Sequence, residues 1–316
     1  MPSLNYDILE EIFLESIEED TTLNLEKFML SGKNPFDIVL RFFSKTQCID
    51  LEHDYFGLWV KENNYQILHN FAFIKPLLEV IPQTIVQLNI GENADICRGT
   101  KFFENFIRKD MKALVLDEKL PQDYDEIIQA KTSIEEVIFQ YDAKYEDLLI
   151  VPFSCKKFTV YMNFEEMTKK RTKSIVLPSV ETLIIINEFI FDKLPSEKME
   201  LFVEFILETF PNLKSFNTHF SCSEICIFET IFKMEIGLDT SMYALIPKNV
   251  KGIIRFCIKF PKFQQMFVQN GQIDETENAF LGPCFLLHNG LNLQYFFKFN
   301  ADIDEEDDDD GGFDID

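Results

Sequence analysis

The chain has 316 residues, 46% apolar and 27% charged, enough to bury one large core or two modest ones, which excludes a collagenous or wholly disordered polymer. Lys and Arg number 30 against 54 Asp and Glu, a formal net charge of −24, so the surface as a whole repels phosphate backbones and anionic lipid. No apolar stretch approaches the roughly 20 residues of a membrane-spanning helix, and 11 Gly leave little material for phosphate-cradling loops.

The N-terminus, Met1-Pro2-Ser3-Leu4-Asn5-Tyr6-Asp7, meets an acid within a few residues and has no basic region leading into an apolar run, the reverse of a secretory signal. Seven Cys, an odd number scattered along the chain, fit reduced and mostly buried thiols. An intracellular protein, cytoplasmic or nuclear, is expected. Leu4 to Leu14 then reads as an amphipathic helix with Leu4, Ile8, Leu9, Ile12 and Phe13 forming one apolar stripe. The breaker cluster Ser31-Gly32-Lys33-Asn34-Pro35 precedes a second amphipathic helix, Phe36 to Lys45. The only Trp closes this region in Phe56-Gly57-Leu58-Trp59-Val60.

These residues resemble a divergent F-box. Leu4, Asp7, Ile8, Leu9, Ile12 and Phe13 match the first helix of that family, and Ile38 to Lys45 match its later helix. Asn5 stands where the family has Pro, and Ser16 to Pro35 stand where it has a short connection. The resemblance implies that Leu4, Ile8, Leu9, Ile12 and Phe13 dock onto the small adaptor of a cullin ubiquitin ligase, as an amphipathic helix in a groove. The alternative is a helical cap over the open end of a repeat array.

The middle of the chain carries apolar triplets at offsets 0, 3 and 5, each in a short strand-like run: Ile85/Leu88/Ile90, Met111/Leu114/Leu116, Ile134/Val137/Phe139, Cys155/Phe158/Val160 and Val180/Leu183/Ile185. Leu213/Phe216/Thr218 and Val250/Ile253/Arg255 continue the series more weakly. Helical patterns lie between them. Cys97 to Lys109 puts Phe102, Phe103, Phe106 and Ile107 on one face, and Pro195 to Phe210 puts Met199, Phe202, Val203, Ile206 and Leu207 on one face behind a Ser196 cap. Ser223 to Met234 supplies a third helix.

Strand and helix alternating every 21 to 37 residues predict a solenoid with a parallel sheet. The runs resemble leucine-rich repeats, and the Asn of that family is matched at Asn93 and Asn163, while Lys119, Asp142 and Glu188 are among the residues that replace it elsewhere. The expected fold is therefore α/β: an irregular leucine-rich-repeat-like solenoid, parallel sheet plus helices, with a helical N-terminal F-box-like or cap region. A doubly wound α/β domain is the structural competitor, although a Gly-rich first turn is missing. The resemblance implies a ligand surface on the sheet side, at positions between the apolar ones: Gln87, Asn89, Lys112, Glu136 and Thr159, together with Val115, Ile138 and Ile184.

The one basic run, Lys169-Lys170-Arg171-Thr172-Lys173, is short enough to be a solvated turn. The last sixteen residues hold ten acids and no base, leaving −14 on residues 1 to 300, and are expected to be a disordered acidic tail. His219, Cys222 and Cys226 have metal-like spacing, but the paired close-spaced Cys of structural zinc sites is missing and small buried thiols explain them as well. Motifs of nucleotide, metallopeptidase, serine-hydrolase and kinase chemistry are absent.

The expected organisation is an F-box-like helical region at 1–62, a repeat-like substrate-binding region at 63–300 and the tail at 301–316. The expected function is a non-catalytic interaction adaptor, the substrate-recruiting subunit of a cullin-type ligase, with no cofactor, metal, nucleic acid or membrane partner. The alternative is a repeat scaffold whose acidic tail binds a basic protein.

Overall fold

The computed structural model describes residues 5–17, 21–92, 101–171, 174–188, 196–222, 249–261, 272–274, 279–286 and 291–300. Two compact units emerge: Met1–Met162 with Lys170–Ile184 and Glu208–Leu213, and Asn163–Lys169 with Ile185–Leu207 and Lys214–Asp316. Each is α/β. Among the described residues no helix is long and apolar enough to cross a membrane.

The first unit opens with three helices, α1 (Tyr6–Ser16), α2 (Thr21–Leu30) and α3 (Lys33–Phe43). Phe13 is the wedge between them, its ring 5.4 Å from Phe28 and 5.1 Å from Phe42. Ile38, Val39 and Phe43 bury the inner face of α3, and Pro35 sits in its first turn, where a missing N–H costs nothing. The stretch Ser16 to Pro35, which the F-box pattern does not contain, is thus occupied mainly by α2.

Strand β1 (Cys48–Leu51) follows, then the hairpin β2 (Tyr55–Val60) and β3 (Asn63–Leu68). After α4 (Ile74–Val80) the chain alternates: β4 (Thr84–Ile90), α5 (Lys101–Arg108), β5 (Asp110–Leu116), a 3-10 turn at Gln122–Tyr124 leading into α6 (Asp125–Gln129), β6 (Glu136–Asp142), a 3-10 helix at Tyr145–Ile150 and β7 (Lys157–Tyr161). The strands of this unit lie in the order β7-β6-β5-β4-β1-β2-β3. From β7 to β1 every pairing is parallel, and the hairpin adds two antiparallel strands at the edge, so this sheet is open and not closed into a barrel.

Parallel neighbours in chain order mean that no strand order reverses between β4 and β7, which removes the crevice of a doubly wound sheet. The apolar triplets are in register: Leu88 faces Leu114, Leu114 faces Val137, and Val137 faces Phe158. All fifteen side chains of the first five triplets are buried. Next to β7, Glu181 and Thr182 donate backbone N–H groups to Lys156 O, as Lys156 and Lys157 do to Glu135 O, so the Val180 triplet keeps the same frame.

Two corrections apply to the triplet series. It starts one strand earlier, since Ile49 and Leu51 of β1 face Leu88 and Ile90, and Thr46 fills the first position, its buried hydroxyl donating to Phe43 O at 2.7 Å. Its last member is displaced by one residue: Phe216 faces Gly252 and Thr218 faces Ile254, so Ile253 and Arg255 are out of the frame of Val250/Ile253/Arg255. Gly252 sets that register, because a Cβ there would stand 1.7 Å from Phe216 O. The boundary expected at 62 falls in the turn of the β2–β3 hairpin, whose backbone ladder, with that of β1 and β4, ties residues 48–68 to the strands that follow.

An Asn ladder is not what joins the turns of this unit. Lys109 Nζ donates to Ile81 O at 3.2 Å, Lys131 Nζ to Lys109 O at 2.7 Å, and Ser154 Oγ to both Lys131 O and Ile134 O. Burial holds the Lys109 ammonium below the usual lysine range. Asn163, expected in the ladder, instead caps α7 (Phe164–Thr168), accepting from Glu165 N at 2.9 Å. Asn93 lies outside the described residues.

The second unit contains α7, most of α8 (Ser196–Thr209) and the strands β9 (Ser215–Cys222), β10 (Lys251–Pro261), β11 (Gln272–Asp274), β12 (Ala279–Leu286) and β13 (Leu291–Asn300); β8 (Thr182–Glu188) spans the division. Here β9, β10 and β13 run parallel, and β12 and β11 return antiparallel. Phe202, Val203, Phe205 and Ile206 of α8 are buried, with Phe202 against Phe164 and Phe216. The helix expected at 223–234, Cys226 and the acidic tail lie outside the described residues. His219 and Cys222 are on β9.

Candidate functional site

Helix α1 starts where Asn5 Oδ1 accepts from Asp7 N at 3.5 Å, and Asp7 places a carboxylate in the first turn. Its inward face is held by Phe13, fully buried, and Ile17. The outward face is a different surface. Ile8 is 45% exposed, Ile12 43% and Leu14 40%, while Leu9 is half-buried. Of the five residues expected to dock an adaptor, Ile8 and Ile12 are therefore available, Leu9 is partly so, and Leu4 lies outside the described residues. Phe13 is corrected: its ring is the anchor of the three-helix core, and no partner can reach it without unfolding α1.

Leu14 and Ile17 continue into a groove of about 570 Å³ between the end of α1 and the tip of the β2–β3 hairpin, with Phe42, Trp59 and Tyr65 among its walls. Lys61 makes the hairpin turn with φ 59°, and Glu62 and Asn63 complete the polar lip.

The second surface is the outward face of the first unit's sheet. Register places Cys48, Gln87, Ala113, Glu136 and Lys157 in one row across the strands, and Asp50, Asn89, Val115, Ile138 and Thr159 in the next. Sequence reasoning had named Gln87, Asn89, Glu136 and Thr159 in these rows, and the structure brings them together. Gln87 Nε2 donates to Asn89 Oδ1 at 2.7 Å, and Glu136 pairs with Lys157 at 2.7 Å. Lys112 is exposed on β5, one residue before the first row. Thr159 and Val115 are buried, so the β5–β7 part of this face is closely packed while the β1–β4 part is polar and open to contact.

The centre of the polar part, Asp50, was missed. It accepts from Trp59 Nε1 at 2.5 Å, from Asn64 Nδ2 at 3.0 Å and from Asn89 Nδ2 at 2.5 Å, tying β1 to β2, β3 and β4 by one carboxylate. The signal was present as strict alternation in Cys48-Ile49-Asp50-Leu51, a half-buried strand that had been read as the end of a helical region.

Beside Asp50, at the exit end of the strands, lie more acids. The Glu52 carboxylate lies over Gly91, where a Cβ would come within 2.3 Å of it. Burial raises the Glu52 carboxyl above the usual range, and Asp117 and Asp50 raise it further. Asp117 is raised by burial, then by Glu92, Asp50 and Glu118. Cys48 is raised by burial and by Asp50, which leaves it a protonated thiol and a poor nucleophile. Beyond β5, Lys119 forms an ion pair with Asp147 of the 3-10 helix Tyr145–Ile150, and Asp147 also accepts from Lys144 N at 2.9 Å.

Among the described residues no three His, Cys, Asp or Glu side chains are grouped to hold a metal ion. His69 is occupied with Glu52 O at 3.1 Å, and His53 lies 3.6 Å from Asp54. What both surfaces offer is shape, apolar area and charge for contact with another molecule. No protein family, curated protein or solved structure matches the chain.

Proposed function

We propose that the protein is a non-catalytic interaction adaptor: α1 docks onto the small adaptor of a cullin-type ubiquitin ligase, and the outward face of the sheet holds a protein substrate. The repeat region is then an irregular leucine-rich-repeat-like solenoid, and the site of action is the cytoplasm or nucleus.

One observation carries this reading. An 11-residue helix spends Phe13 on its own core and leaves Ile8 and Ile12, one turn apart, facing outward. Two exposed isoleucines on one helix face cost solubility without adding stability, which is the pattern of an element that buries them elsewhere. Parallel strands in register, with polar side chains outward at Gln87, Asn89 and Glu136, support the sheet as the second contact surface.

The test is capture from cell extract with the full chain and with the double variant Ile8→Glu/Ile12→Glu, with circular dichroism to show that the variant folds. Retention of the cullin adaptor by the parent and its loss from the folded variant is the expected result. If the parent retains none, the three helices are a cap and the ligase reading is wrong.

A further inference from the structure

Ile8 and Ile12 are not alone on the outward face of α1. Asp7, Glu11 and Glu15 are exposed there at a spacing of four residues, a file of carboxylates running beside the isoleucine stripe. Among the described residues none of the three has a cationic partner, and α1 carries no base in its last turn. Like charges one turn apart destabilise the helix that bears them. A sequence that places three of them next to exposed apolar side chains therefore has a strained electrostatic surface that an oppositely charged partner would relieve.

We infer that the α1 face is built for an amphipathic helix with aliphatic anchors flanked by Lys or Arg. This rests on the proposal that α1 is a docking element and adds the chemistry of its partner. The anchors cover Ile8 and Ile12, which lie one turn apart on one face of α1. The flanking cations lie along Asp7, Glu11 and Glu15, at the rim of the contact, where charge governs choice of partner and rate of encounter more than raw affinity.

The same file argues against two occupants that the apolar stripe alone would admit. A second copy of this chain, docking α1 on α1, would bring carboxylates against carboxylates with no base on either helix. The chain's own C-terminal sixteen residues carry ten acids and no base, and are repelled in the same way.

The experiment uses the full chain and two synthetic helical peptides with identical leucine anchors, one flanked by Lys and the other by Glu, with binding read by fluorescence anisotropy. At low salt the Lys-flanked peptide should bind more tightly by about tenfold or better, and the gap should narrow as salt rises. Ile8→Glu/Ile12→Glu should lose the Lys-flanked peptide, and Asp7→Lys/Glu11→Lys/Glu15→Lys should reverse the preference.

Equal binding of both peptides overturns the inference. So does binding of the Lys-flanked peptide that survives Ile8→Glu/Ile12→Glu, which would be attraction to the acidic surface at large. Sedimentation showing a dimer that depends on Ile8 and Ile12 would name a second copy as the occupant and also overturn it. The two proposals fail separately: loss of the cullin adaptor from the isoleucine variant with no preference between peptides leaves the docking role standing and removes only the partner chemistry.

Discussion

Asp50 is the residue on which the polar part of the sheet depends. Its two oxygens receive three side-chain donors from β2, β3 and β4, so the hairpin is held to the parallel strands by a shared carboxylate as well as by backbone. Removing that carboxylate leaves the Trp59 indole N–H and two amides without an acceptor in a half-buried setting, which costs about 1–3 kcal/mol. Asp50→Asn keeps one acceptor oxygen and should cost less. Because Trp59 is the only Trp in the chain, its emission isolates this site. Asp50→Ala should shift that emission and lower the denaturation midpoint together; an unchanged spectrum in the variant would show that the indole does not depend on Asp50.

At the level of elements, α1 separates two roles that one apolar stripe had merged. Phe13 touches Phe28 and Phe42 and is fully buried, so Phe13→Ala should destabilise the first unit by about 3–5 kcal/mol. Ile12→Ala, on the exposed face, should change stability by less than about 0.5 kcal/mol while weakening any partner bound there. Chemical denaturation of the two variants decides this, and equal losses would place Ile12 in the core. The stripe was legible because helical period survives in sequence; which of its members faces inward was not, because that depends on α2, a helix whose place the F-box pattern leaves empty. The strands were legible for a similar reason. Buried side chains at offsets 0, 3 and 5 recur in each of the first five runs, and Leu88, Leu114, Val137 and Phe158 do face one another. The β1 triplet escaped because its first position, just ahead of the strand, is Thr46, a polar side chain satisfied by Phe43 O only once the fold exists. The β10 frame slipped because Gly252, the residue that sets it, has no side chain to show in a pattern.

Across the whole molecule, 54 acids against 30 bases make charge repulsion a general cost of the folded state, and the exit end of the first unit's sheet concentrates it. Glu52 and Asp117 both have folded-state carboxyls raised above their unfolded values, first by burial, then by Asp117 and Asp50 at Glu52 and by Glu92, Asp50 and Glu118 at Asp117. The sign follows from proton binding. Between the unfolded value, near 4, and the raised folded value, the native state holds more protons than the unfolded chain, so stability falls as pH rises through that window and the full penalty is present above it. Lowering the pH through that window, toward the unfolded value near 4, should therefore raise the thermal midpoint, contrary to the acid lability of proteins whose carboxylates are mostly paired. Added salt at pH 7.5 should recover only part of the gain, because it screens the neighbouring charges and leaves the burial cost in place. Glu52→Gln with Asp117→Asn should flatten the pH dependence through the same window and raise the midpoint above it. A double variant that keeps the full slope would move the origin of the effect away from this end of the sheet and onto the net charge of the chain.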